Sequence, residues 1–509
     1  MTFLNCGEWL ARRELLTPDK IGLIESETGV RLTYHALNVR ARALATHLEQ
    51  QYHIQQGERV AVLALNAPEY LDAFFACALL GAILVPLNWR LTLHELSIIL
   101  NDCTPELLLY DSTHSEQAKA LANRAYTATG ELFLCSFDDF PGEHAGLASL
   151  ARPFTTANGE DPLVILYTSG TTGVPKGVIL SHRMITWNAI NTAISWGLRD
   201  TDITPTFAPF FHASGLNILT TPLYYLGGTV VLLRNPSPQT IFRAIERERC
   251  SVVFAVPTVF QNMLEHPTFA TTDFSSVRFC VTGGSSCPLP LIQAYAERGL
   301  EFRQGYGLTE AGVNCFSLAP EDAVRKAGSV GHPVFHARAR IVNADDSDVP
   351  PGEIGELVLA GPHICSGYWQ RPDATSEAYR GGWWHTGDLA CCDLEGYYFI
   401  VGRKKDMFIS GGENIYPAEV ENVILTHPDV LEVAVIPQPD PRWGEVGLAI
   451  VVPRVPDNLS AEKILAFCAN KLARYKLPRA VYFVESLPRN VMGKVLKAEL
   501  AKRFVLSSR

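Results

Sequence analysis

The chain has 509 residues, 47% of them apolar and 19% charged, with a formal net charge of -10. That length exceeds what one core ordinarily supports, so two or more domains are expected, and the composition is soluble and globular, neither disordered nor fibrous. The acidic balance argues against a nucleic-acid binder, although a locally basic pocket for phosphates is compatible with it.

Met1 to Leu15 contains Arg12 and Arg13 and no continuous apolar run, so no secretory signal is read there. Arg59 to Leu65 reads as a buried strand and Pro68 to Leu80 as the helix after it. No stretch reaches the roughly 18 apolar residues of a membrane span. The longest candidate, Ala73 to Leu87, follows Asp72 and reads as a buried helix, a turn at Gly81 and a strand. Short apolar runs at 107–111, 163–167, 229–233, 252–256 and 279–282 alternate with helical patterns, which predicts α/β layers with largely parallel sheets. From Gly328 to Ile400 short strands broken by Gly, Pro and Asp predict a small β-rich subdomain, with residues 354–359 the clearest strand. A compact unit follows: helices near 417–423 and 460–472, strands near 430–436 and 448–452, and a last helix after Gly493. The expected division is 1–404 and 405–509. The twelve scattered cysteines, Cys391-Cys392 included, lack zinc or redox spacing and read as buried free thiols in a reducing compartment. A cytoplasmic location is therefore expected.

The segment from Thr168 to Gly177 follows an apolar strand. Its glycines at 170, 173 and 177 let backbone N–H groups approach phosphate oxygens. Thr168, Ser169, Thr171 and Thr172 add hydroxyls, and Lys176 adds a cation for the outer phosphates. A Walker loop would run Gly-Lys-Ser/Thr into a helix; here Pro175 precedes Lys176 and a strand-like run follows, so this is a different loop. It resembles the signature loop of the adenylate-forming superfamily, which comprises acyl- and aryl-CoA synthetases, peptide-synthetase adenylation domains and beetle luciferases. Further motifs of that family follow in order over almost the whole chain.

Gln304-Gly305-Tyr306-Gly307 resembles the family's second core motif, with Tyr306 offering an aromatic face to adenine. Thr309 and Glu310 beyond it suit phosphate and Mg²⁺, since a hard cation that keeps several waters needs only one carboxylate. Gly283, Gly284 and Ser285 resemble the segment lining adenine and the acyl group. Asp388, in Trp384-His385-Thr386-Gly387-Asp388, resembles the carboxylate that accepts both ribose hydroxyls, and Arg403 the second ribose contact. Lys494 resembles the catalytic lysine that reaches between carboxylate and α-phosphate, where a cation offsets two mutually repelling anions. Lys405 matches the hinge about which the C-terminal domain rotates. Gly411, Gly412 and Glu413 resemble the stretch facing the site in the second pose, where a pantetheine arm passes the backbone. Trp443 sits where some relatives contact CoA; ordinary packing is an equal reading.

His212, in Phe210-Phe211-His212-Ala213-Ser214-Gly215, matches a residue beside the substrate carboxylate, with a satisfied core histidine as the rival reading. Amino-acid-activating domains carry an Asp here, so an α-amino acid substrate is not expected. The resemblance puts the acyl pocket at Trp187, Phe211, His212, Gly215, Leu216, Val256, Gly283, Gly305 and Val313. Its glycines imply depth for a medium or long fatty acid, and a flat aryl acid fits the same description. The implied fold is α/β, with a large N-terminal domain of layered sheets and a small mobile C-terminal α+β domain. The implied activity is an acid–CoA ligase using ATP, Mg²⁺ and coenzyme A. A carrier protein in place of CoA stays open, as does a homodimer.

Overall fold

The computed structural model describes residues 5–124, 132–141, 154, 157–168, 175–284, 287–455, 459–469, 471–489 and 495–505. The chain divides into two compact units: residues 1–339 with 359–384, and residues 340–358 with 385–509. Residues 340–358 and 385–404, which the expected division at 404/405 puts with the N-terminal domain, are compact with the second unit.

Among the described residues the first unit contains three sheets. The six-stranded one runs in the order Phe133–Ser136, Leu107–Tyr110, Arg59–Leu63, Ile83–Pro86, Pro162–Thr168, Lys176–Ser181. Its pairs are parallel except the last, an antiparallel hairpin in which Thr168 faces Lys176 and Tyr167 faces Gly177. A four-stranded sheet orders Arg31–Thr33, Ile21–Glu25, Thr229–Leu232 and Ile203–Thr206. The five-stranded sheet runs Val252–Ala255, Phe279–Thr282, Phe302–Leu308, Gly312–Ser317, His332–Pro333; the first three are parallel and the last two pairings antiparallel.

The apolar run at 68–87 shows why these elements form. Pro68 opens the helix Pro68–Leu80, where its missing N–H costs nothing, and Gly81 closes it at φ 68°, a conformation glycine adopts without penalty. Apolar on nearly all sides, the helix is buried on nearly all sides. Its Asp72 is held by a paired ion contact to Arg40 at 2.5 Å. Among the described residues no helix is long and apolar enough to cross a membrane. All twelve cysteines are free and ten are buried. Burial pushes thiols such as Cys77 and Cys280 up to about 12, as inert core groups.

The second unit carries the strands Tyr398–Arg403 and most of Trp383–Cys392, paired antiparallel with Asp388 opposite Arg403. It also carries a sheet ordered Glu413–Ile415, Phe408–Ser410, Gly444–Pro453, Val430–Asp440. The last two form one long hairpin, and Ala480–Phe483 pairs parallel to Gly444–Pro453. Helices Pro417–Leu425, Ala461–Ala469 and Lys497–Phe504 follow the expected order. The strand at 480–483 was not expected; its two exposed aromatics, Tyr482 and Phe483, lack the burial alternation that marks a strand.

Three strands of the first unit are tied at their N-terminal ends by one buried carboxylate. Asp202 accepts both contacts from Arg278 Nη1 at 2.7 Å, and also the Ser251 hydroxyl and the Arg199 N–H at 2.7 Å each. Arg278 is 27% exposed. Arg278→Met therefore leaves an uncompensated buried charge and should cost roughly 3 kcal/mol, the low end for breaking a buried pair. The urea midpoint should fall with the far-ultraviolet circular dichroism unchanged before the transition; an unchanged midpoint would remove Asp202 as the tie.

Candidate active site

The phosphate hairpin and the 304–310 motif meet around a residue that the motifs did not single out. Lys176 opens the second hairpin strand, as expected, and is not at a helix N-terminus. Its ammonium lies 5.1 Å from the Tyr368 ring centroid, within cation–π range. The Tyr368 hydroxyl donates to Glu310 Oε1 at 3.1 Å. One aromatic side chain thus touches the cation expected at the outer phosphates and the carboxylate expected at the metal. Tyr368 reaches this place because residues 366–369 run along the hairpin's outer strand. Ile179 N–H donates to the Gly367 carbonyl at 2.9 Å and Trp369 N–H to the Gly177 carbonyl at 2.7 Å. Next to it, Cys365 N–H donates to the Glu310 carbonyl at 2.8 Å. The only sequence sign of Tyr368 was an aromatic pair after Gly367.

Thr309 and Glu310 lie in a short turn, Thr309–Ala311, between the strands Phe302–Leu308 and Gly312–Ser317. Residues Ser169, Gly170, Thr171, Thr172, Gly173, Ser285 and Lys494 lie outside the described residues. Thr168 is placed at the hairpin's last pair, its hydroxyl 3.5 Å from the Lys176 carbonyl. A Mg²⁺ fits the donor set as a mostly hydrated ion: Glu310 supplies one carboxylate, and no cluster of three or more His, Cys, Asp or Glu forms among the described residues.

Gln304 is buried with its Nε2 3.5 Å from the Ser329 carbonyl, and the Tyr306 ring packs edge-on against Phe316 at 5.7 Å. The register shifts between Tyr306 and Leu308. At this bulge an added Cβ on Gly307 would lie 2.2 Å from the Val313 carbonyl oxygen. Gly283 and Gly284 end the Phe279–Thr282 strand; a Cβ on Gly283 would come 3.2 Å from the Gly305 carbonyl.

The expected acyl residues gather in part. Val256 and Val313 pack on one buried cluster with Trp196, Leu219 and Phe254. Leu216 lies in a π-helical segment, Gly215–Thr220, of a kind often found at functional sites. Thr309, Val313, Ala213 and Asn188 line one enclosed space of about 10 Å³, room for about one water. Asn188, which the motifs missed, lies in the helix His182–Trp196, and its Nδ2 donates to the Asn217 carbonyl at 2.6 Å. Half-buried His212 follows Phe211, whose ring packs against Trp89. The Trp187 ring packs edge-on against His336 at 4.7 Å.

Two of the glycines expected in the acyl pocket border filled space in the direction a side chain would take. A Cβ on Gly215 would sit 2.2 Å from the Pro209 carbonyl oxygen, and one on Gly305 would meet the Trp196 ring at 3.2 Å. Backbone and indole already occupy those volumes. At Gly411, likewise, the Trp443 ring lies 2.6 Å from where a Cβ would stand, so the space beside that backbone is filled. Trp443 remains 44% exposed, so it packs on Gly411 and still offers a face to solvent. Gly412 has no atoms within 4 Å of a built Cβ, and Glu413 is exposed.

In the second unit the two expected ribose contacts find each other. Arg403 Nε lies 2.7 Å from Asp388 Oδ1, across the strand pair that sets them opposite. Asp388 is buried, and its N–H donates to the Thr386 hydroxyl at 3.0 Å. Lys404 Nζ donates to Glu356 at 3.0 Å, which helps hold that carboxyl below its usual range against the effect of burial. Lys405 follows, exposed, in a turn closed by Asp406 and Met407 N–H donating to the Arg403 carbonyl.

Known proteins are similar to this chain over nearly its whole length. The AMP-binding enzyme family matches residues 10–369, and the AMP-binding enzyme C-terminal domain matches residues 419–494. The chain is 41% identical over 498 residues to a feruloyl-CoA synthase of Amycolatopsis sp, covering 98% of this chain and 99% of that one. It is 39% identical to an indoleacetate–CoA ligase of Aromatoleum aromaticum, with 98% of each covered. The solved structure of a Mycobacterium tuberculosis fatty acyl CoA synthetase is similar, with a TM-score of 0.80, 36% identity and 99% of each chain covered. Matched by both family models and by relatives that cover nearly all of it, the chain belongs to the adenylate-forming AMP-binding enzyme family, among the acyl- and aryl-CoA synthetases.

Proposed function

We propose that this enzyme activates an aromatic or arylalkenoic acid. The acid's carboxylate oxygen attacks the α-phosphorus of ATP and pyrophosphate leaves; the thiol sulfur of CoA then attacks the acyl carbonyl, and AMP leaves. The contact of Tyr368 with both Lys176 and Glu310 carries the phosphate half of this reading. Lys176 holds the outer phosphates, and Thr309 and Glu310 hold Mg²⁺, which when bound neutralises phosphate charge. Asp388, oriented by Arg403, takes the ribose hydroxyls, and His212 stands beside the substrate carboxylate. Lys494 offsets the charge between carboxylate and α-phosphate. The segment 405–509 turns about Lys405 to present Gly412, Glu413 and the exposed face of Trp443 to CoA.

The choice of acid rests on the aromatic side chains of the expected pocket and on the relatives. Trp187 packs edge-on against His336, and the Phe211 ring against Trp89. A flat ring needs less depth and gains from aromatic walls. Two relatives named above act, by their names, on feruloyl and indoleacetate groups, which supports the aromatic reading. The likeness to a fatty acyl CoA synthetase keeps a long-chain acid as the second reading.

Pyrophosphate release measured across benzoates, cinnamates, indoleacetate and linear acids from octanoate to palmitate should give aryl acids the higher kcat/KM. The margin should be at least about tenfold, or ~1.4 kcal/mol of transition-state binding. A maximum at palmitate reverses the assignment.

Glu310→Gln removes the charge at the metal station and should raise the Mg²⁺ concentration for half-maximal pyrophosphate exchange by roughly tenfold or more, the worth of one charged contact. Tyr368→Phe should raise it less. An unmoved Mg²⁺ titration in both variants would take the metal away from Glu310.

Lys494→Ala should slow adenylate formation by roughly 10²–10³-fold, as for loss of one preorganised charge, yet convert supplied acyl-adenylate and CoA normally. Lys405→Pro, which restricts φ at the hinge, should do the reverse. Parallel losses in both steps for both variants would rule out two poses over one site.

A further inference from the structure

Asp102 ends no motif and touches no expected substrate position, yet it holds two segments that converge on the phosphate site. It lies in the helix Leu93–Cys103, with its side chain 14% exposed. Its Oδ2 accepts the Tyr167 hydroxyl at 2.7 Å, and its Oδ1 accepts Arg371 Nη2 at 2.5 Å. Tyr167 belongs to the first strand of the phosphate hairpin and pairs with Gly177, the neighbour of Lys176. Arg371 follows the 366–369 segment that sets Tyr368 between Lys176 and Glu310. One carboxylate therefore pins, from behind, both the hairpin that carries Lys176 and the segment that carries Tyr368. The three side chains line a cavity of about 330 Å³ bordered by Pro175.

From this we propose that Asp102 is a positioning residue for adenylation: through Tyr167 and Arg371 it sets the spacing of Lys176, Tyr368 and Glu310. It does not contact substrate. A charged acceptor suits the task, because both oxygens bind donors and the guanidinium contact is charge-assisted. The inference rests on the proposed reading of Lys176 and Glu310 as the triphosphate and metal station. It adds that their geometry is set by a helix elsewhere in the first unit. Supplied acyl-adenylate has no β- or γ-phosphate, so the second half-reaction should not sense Asp102.

The test compares Asp102→Asn, Tyr167→Phe and Arg371→Gln in the full-length enzyme, with Lys176→Ala as reference. Acid-dependent pyrophosphate exchange gives KM for ATP and kcat; conversion of supplied acyl-adenylate with CoA gives the second step. Each of the three variants should raise the ATP KM by about threefold to thirtyfold, the range for changes transmitted through a contact network. The second step should stay within about twofold of wild type. Tyr167→Phe combined with Asp102→Asn should cost less than the sum of the two, since both break one contact. If Asp102→Asn and Tyr167→Phe leave the ATP KM unmoved while Lys176→Ala raises it, the positioning role is wrong and the phosphate reading stands. Parallel losses in both half-reactions reduce Asp102 to a structural residue and overturn the proposal. An ATP KM indifferent to Lys176→Ala overturns the phosphate reading and this inference with it.

Discussion

The Lys176–Ser181 strand is the last in its six-stranded sheet, and an outer strand presents a row of backbone donors and acceptors that water or another chain must satisfy. Here the cover comes from residues 366–369 of the same unit, nearly two hundred residues further along. Three backbone hydrogen bonds fasten it: Ile179 to Gly367, Ser366 to Ile179 and Trp369 to Gly177. The pairing fixes more than an edge. It brings Tyr368 over Lys176 and beside Glu310, and it carries Arg371 to Asp102. Gly177 permits the approach, because a Cβ there would press within 2.6 Å of Ile165 and 3.3 Å of Trp369. The polar geometry around Lys176, Tyr368 and Glu310 thus depends on a satisfied sheet edge.

Close backbone approach is also the common reason for several motif glycines. At Gly215 and Gly307 the neighbour is a carbonyl oxygen 2.2 Å from where a Cβ would stand, far inside any tolerable contact. Such glycines mark places where chain meets chain, and they say little about the room left for a substrate. The acyl pocket is accordingly defined by what surrounds it, such as Trp196 and the π-helical turn after Ser214.

In the second unit the organising contact is electrostatic. Asp388 is buried and paired with Arg403 across two strands, and the exposed turn with Lys405 begins directly after that pair. A carboxylate oriented by a guanidinium keeps its geometry without help from a ligand.

Much of this was written locally and could be read from the chain. Periodic apolar runs and a Pro–Gly frame determined the helix at 68–80 and the strand after it, because burial and capping act between near neighbours. The order of strands and helices through 417–453 was legible for the same reason. So was Lys176 at the head of a strand, since Gly, Pro and charge spacing constrain the backbone where they stand. Tyr368, Asp102 and the Asp202–Arg278 tie were not legible. Each takes its meaning from a partner roughly sixty to two hundred and seventy residues away, and no local pattern encodes such a partner. The glycines show the limit most clearly: sequence alone established that side chains are missing at 215, 305 and 411, whereas only the tertiary structure decided what fills the space, because the steric demand comes from a carbonyl or an indole ring brought in by the fold.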